Sequence, residues 1–111
     1  MIKTFALIKR KPNLTKEEFF SYWRNQHAPL AAKAIPGLRK YIQHYPVNVL
    51  GIEFEYDGIA EIWWDDIQTL EKYFLWRKTP EARILISDEE KFIDVAKTVR
   101  FFAEDYVVVE H

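Results

Sequence analysis

Two tryptophans side by side, Trp63 and Trp64 at the end of "IAEIWW", set the strongest constraint on how this chain can fold. The segment is rich in β-branched and aromatic residues and reads as a strand. Successive side chains of a strand point to opposite faces. Ile59, Glu61 and Trp63 then share one face, and Ala60, Ile62 and Trp64 the other. Each face carries a large aromatic ring that needs a cover, so both sides of this sheet must be packed.

The rest of the chain supplies cover for one side only. "MIKTFALIKR" reads as a first strand with a charged tip. "KPNLT" is a turn that delivers Thr15 as an N-cap, with Glu18 three residues on completing a capping box and Leu14 placed to staple onto Phe19. A helix follows over about 16–34, until Pro36–Gly37 stops it and a second strand, "LRKYIQHY", begins. Residues 46–57 are too apolar for a plain solvated loop, and three readings stay open: a hairpin extension, a pocket cover, or an arm onto a partner chain. After the strand at 59–64, Asp65–Asp66 caps a second helix whose buried stripe is Ile67, Leu70 and Phe74. Thr79 and Pro80 start a third helical segment that continues to about Lys91. "VRFFAEDYVVVE" is a last strand, interrupted near Glu104–Asp105.

The order βαββα(α)β predicts an α+β fold, one antiparallel four-stranded sheet with helices on one face, of the ferredoxin-like type. With 111 residues the chain has room for one domain, 1–111. The uncovered sheet face, with Trp63 or Trp64, Phe101 or Phe102 and Tyr41 available to it, predicts a homodimer. An aromatic content of 16% exceeds what a small core needs and points the same way, or to an aromatic-lined pocket.

Sixteen basic and seventeen acidic residues, mixed along the chain, argue against a nucleic-acid partner. Lys9 to Lys11 form a short basic cluster at the tip of the first strand, read as a solvated edge. Without cysteine there is neither a disulfide framework nor a thiolate metal site. The amino-terminal apolar run is too short for a signal peptide or a membrane span, and a cytoplasmic location is expected.

The first helix holds the residue that asks for a chemical explanation. In "YWRNQHAPLAAK", His27 falls on the apolar stripe, four residues after Trp23 and three before Leu30. An imidazole aimed at the core costs free energy unless it has a partner. Either it is a core histidine satisfied by a backbone carbonyl, or it is a general acid/base beside a pocket. Pro29 has no N–H for the carbonyl of Asn25, so the helix must kink or restart there, opening space near His27.

Four segments together, "RKPNLTKEEFFSYWRNQHAPLA", "IPGLRKY", "YDGIAEIWWDDIQTLEKYF" and "DEEKFID", resemble the EthD family of dimeric α+β barrel proteins. The tryptophan followed by histidine-alanine-proline-leucine is the most specific of these motifs. Asn13 stands where the family usually has glycine, and asparagine also tolerates turns. The resemblance implies a ferredoxin-like monomer and a homodimer whose two sheets form a barrel. It implies a small, largely apolar pocket with a few acid–base groups, as in muconolactone isomerases, cofactor-free monooxygenases, polyketide cyclases and haem-degrading enzymes. Fold analogy does not choose among them.

The expected function is binding of a small, largely apolar metabolite in a pocket between sheet and helices, with His27 transferring a proton and no cofactor. Asp94 is the expected partner that fixes the His27 tautomer, with a cap on the turn before "VAKTV" as its other reading. Tyr41 and Glu61 are expected to polarise the substrate, although Glu61 could instead pair with Arg39 or Lys40 on the neighbouring strand. Trp23, Trp63 and Phe5 are the candidate aromatic walls for the ligand. The competing readings are a non-enzymatic carrier of a hydrophobic metabolite and a haem protein using His27 or His44. No metal-ligand spacing, phosphate loop or nucleophile motif is present.

Overall fold

A computed structural model describes all 111 residues. Four strands, β1 (Ile2–Ile8), β2 (Lys40–His44), β3 (Gly58–Trp64) and β4 (Val99–Glu104), form one antiparallel sheet in the order β2-β3-β1-β4. The helices lie on one of its faces, as the pattern predicts. No helix is long and apolar enough to cross a membrane.

Helix α1 (Lys16–Tyr22) opens on Thr15, whose side chain accepts from the Glu18 N–H while the Glu18 carboxylate accepts from the Thr15 N–H. This is the capping box read from the sequence. A π-helical turn over Trp23–His27 follows, and then α2 (Ala28–Ala34) with Pro29 in its first turn. The helix thus restarts at the proline. The Ala28 N–H reaches back five residues to the Trp23 carbonyl, and the wider turn accommodates the donor that Pro29 lacks.

Asp66 caps α3 (Ile67–Trp76) by accepting from the Thr69 N–H, while Asp65 pairs with Arg39 instead. The third helical segment begins as a 3₁₀ turn over Pro80–Ala82 and becomes α4 over Arg83–Phe92. Thr79 does not cap it with its side chain. Its hydroxyl donates backwards to the Trp76 carbonyl.

Two buried clusters hold the helices to the sheet. One joins Phe19 and Trp23 to Ala6, Ile8, Ala60, Phe92 and Ile93. The other joins Trp64 to Ala31, Ile35, Leu70, Tyr73 and Leu85. Gly58 permits the closest approach, since a Cβ there would stand 2.7 Å from the Trp23 ring. Gly37 provides the left-handed turn (φ +76°) between α2 and β2.

Register decides the two sheet faces. Tyr41 pairs with Ile62, and Phe102 with Thr4, so both lie on the helix side with Trp64. Trp63, Phe5 and Phe101 lie on the open side, where Phe5 stacks on Phe101 at 5.2 Å. Tyr41 and Phe102 are therefore not part of the open face.

Residues 46–57 form a tight excursion closed by a Val49–Ile52 bridge, with Leu50 and Gly51 both at positive φ. Val47, Leu50 and Ile52 on it are exposed. β4 ends at Glu104, and Tyr106 to Val109 beyond it are exposed.

Candidate functional site

His27 closes the π turn and is 5% exposed. Its Nδ1 lies 2.8 Å from Asp88 Oδ2 on α4, and the other carboxylate oxygen accepts from the Tyr22 hydroxyl at 2.5 Å. Lys91 stands 3.9 Å from the same carboxylate. A carboxylate at Nδ1 holds a proton on that nitrogen, so in the neutral imidazole it is Nε2 that carries the bare lone pair. That nitrogen makes no hydrogen bond within the chain and is not sealed off, because no fully buried side-chain nitrogen or oxygen lacks a partner.

His27 borders a cavity of about 130 Å³ between the helices and the sheet, whose walls include Trp23, Ile35, Tyr41, Ala60 and Ile62. Tyr41 Oη accepts from Trp23 Nε1 at 3.2 Å, so its own proton is free to donate. Burial pushes the Tyr41 hydroxyl up to about 12, which keeps that proton in place at neutral pH. Deeper in the helix layer, Arg77 forms a fork with Glu89 at 2.8 and 3.0 Å and donates to the Tyr73 hydroxyl at 3.0 Å. These groups line the same cavity.

The structure brings His27, Tyr41 and Trp23 together and separates the other candidates. Asp94 is not the partner of His27. Its backbone N–H donates to the Lys9 carbonyl and its own carbonyl accepts from Thr98, which fixes it at the turn entering Val95–Lys97. Asp88 takes the position beside the imidazole. It occupies the buried stripe Leu85–Asp88–Phe92 of α4, so its signal was the one His27 gave: a titratable group at an apolar helical position.

Glu61 is on the opposite face of the sheet from His27, with Trp63 and Phe5. It accepts from Trp63 Nε1 at 2.6 Å and meets His44 Nε2 at 2.8 Å and Lys3 Nζ at 3.4 Å. Neither Arg39 nor Lys40 is its partner. Lys3 also bonds Asp105, and both Lys3 and Lys40 sit against the Trp63 ring. Glu61 and Lys3 are each only 8% exposed, so the centre of the open face is a charge network flanked by aromatic rings. Burial alone would raise the Glu61 pKa. The hydrogen bonds from Trp63, His44 and Lys3 outweigh it and hold the carboxylate below its usual range.

No group of three or more His, Asp or Glu side chains converges as a metal ion would require.

The sheet order, the helices on one face and the enclosed histidine define a ferredoxin-like α+β protein. Within that class the chain belongs to the EthD family: the model of the EthD domain matches residues 11–96. A protein of the ethyl tert-butyl ether D (EthD) family from Bacillus halodurans C-125 is 27% identical, with a TM-score of 0.73 and coverage of 96% of this chain and 99% of that one. An EthD-like protein from Ralstonia eutropha JMP134 is 15% identical, with a TM-score of 0.70 over 99% of this chain and 94% of that one. A dimeric protein of ferredoxin-like fold from Bacteroides fragilis NCTC 9343 is 15% identical, with a TM-score of 0.63 over 94% and 95% respectively. Among curated proteins, none matches.

Proposed function

We propose that this protein is a homodimer that binds a small, largely apolar metabolite between its sheet and helices and moves a proton on it through His27, without a cofactor. The observation that carries this reading is that His27, whose Nε2 has no partner within the chain, and Tyr41, whose hydroxyl proton is free, border one cavity. Asp88 holds the His27 tautomer, and Tyr41 keeps its proton.

A carbonyl compound suits that pair. His27 Nε2 takes a proton from the carbon next to the carbonyl. The C–H electron pair becomes a C=C bond, and the carbonyl π pair moves to the oxygen, which accepts a hydrogen bond from Tyr41. With a β,γ-unsaturated carbonyl compound, return of the proton from His27 to the γ-carbon re-forms the carbonyl and shifts the double bond, which completes an isomerisation. Asp88 fills the orienting role first assigned to Asp94. Trp23 steers the Tyr41 hydroxyl.

Dimerisation belongs to the same reading. Its support is the open face bearing Trp63 and Phe101, together with the dimeric Bacteroides fragilis relative of the same fold. Phe5 and Trp63 would then serve the interface and not the ligand.

The test is exchange of solvent deuterium into the position next to the carbonyl of small cyclic ketones and lactones. Wild type should accelerate exchange of at least one of them, and His27→Ala should not. Equal rates with both proteins and with buffer would overturn the catalytic reading. Binding without exchange would leave a carrier.

A further inference from the structure

We infer that the cavity selects uncharged, oxygen-bearing ligands no larger than a single six-membered ring, an inference that rests on the His27 cavity being the binding site. Size comes first. A cavity of about 130 Å³ is close to the engineered apolar cavity of about 150 Å³ that holds benzene, and so has no room for a second fused ring.

Charge comes second. Arg77 is the cation that a carboxylate ligand would seek, but its fork is closed by Glu89 through both terminal nitrogens, and Tyr73 Oη takes a further donor. The pair is largely buried, with side chains 18% and 15% exposed. A ligand carboxylate reaching Arg77 would have to displace Glu89 and strand that charge away from water. An ammonium ligand would meet the Arg77 guanidinium unrewarded. Arg100 also borders the cavity but is exposed, where solvent screens it.

Polarity comes third. Thr98 Oγ1 is spent, accepting from the Lys9 N–H and donating to the Asp94 carbonyl, whereas Thr4 Oγ1 accepts from Trp64 and Tyr73 Oη from Arg77, so both keep their protons. What remains is a set of hydroxyl donors at Tyr41, Tyr73 and Thr4 and one acceptor at His27 Nε2, on a cavity whose walls include Trp23, Ile35 and Ile62. A neutral cyclic ketone, a lactone or a simple phenol fits this set.

The test titrates the protein with cyclohexanone, phenol, benzoate and 2-naphthol while following the Trp23 indole N–H and the His27 ring by NMR. Cyclohexanone and phenol should shift these signals, and benzoate and 2-naphthol should bind at least tenfold more weakly. Equally tight binding of benzoate or 2-naphthol would overturn the selection rule while leaving the site intact. No response to any of the four would overturn the site as well. Glu89→Gln, which frees the Arg77 charge, should tighten benzoate binding at least tenfold. A folded variant that fails to do so overturns the charge argument, and the wild-type panel stands whether or not that variant folds.

Discussion

At the scale of single residues, His27 is held by a carboxylate that can be changed without altering its size. In Asp88→Asn the amide still fits and still accepts from Tyr22 through its oxygen. Its NH₂ group, however, would face Nδ1 as a donor and favour the proton on Nε2. The expected outcome is a folded protein whose His27 tautomer is reversed, visible in the ring ¹⁵N shifts, and whose deuterium exchange falls by at least tenfold. Unchanged shifts would mean that Asp88 does not set the tautomer. His27→Ala is a harsher change, since it removes one partner from a buried carboxylate and should cost about 1–3 kcal/mol in urea unfolding.

At the scale of elements, local chemistry is what the sequence made legible. Thr15 and Glu18 announce a helix start because both halves of the box are within one turn, and Asp66 does the same for α3. Alternation in 59–64 sorted the two tryptophans onto opposite faces. It could not say which face meets the helices, because that depends on where three distant helices pack, and so it left Glu61 readable as a pocket group. Asp88 escaped notice on the same ground: it lies six residues before Asp94, and only the packing of α4 against the π turn decides which carboxylate meets His27. The tail beyond β4 tests another element. Tyr106 to Val109 are apolar and uncovered within their own chain. Deletion of residues 106–111 should lower the thermal midpoint and weaken dimerisation measured by analytical ultracentrifugation, because a partner subunit is the cover these apolar side chains lack in their own chain. A truncated protein with both properties intact would assign the tail no structural part.

At the scale of the whole molecule, light scattering at micromolar concentration should give twice the mass of one chain, with an interface of more than roughly 1,000 Å². A monomer would remove the barrel from the reading. The charge network at the centre of the open face adds a pH dependence. Glu61 has a lowered pKa in the folded protein, so it binds its proton less readily than in the unfolded chain, whose ordinary value is 4.5. The stability it contributes is complete above that value and is lost as pH falls through the folded one. Urea midpoints for wild type should therefore drop between pH 6 and pH 3 by more than those of Glu61→Gln. Parallel curves would show that Glu61 is not coupled to folding.

The π turn leaves the chain with a counting problem that substitutions alone do not reveal. Five residues fill the space of a turn that an ordinary helix closes with fewer, so every side chain after Trp23 is rotated relative to an uninterrupted helix. Each residue of an α-helix advances about 100° around the axis. Removing one residue from Arg24–Gln26 would give a smoother helix and a worse protein. Either His27 would swing away from Asp88, or Ala31 and Ile35 would leave the second core cluster. Within this stretch, residue number matters more than residue identity, and homologous chains should differ there by exchange and not by length.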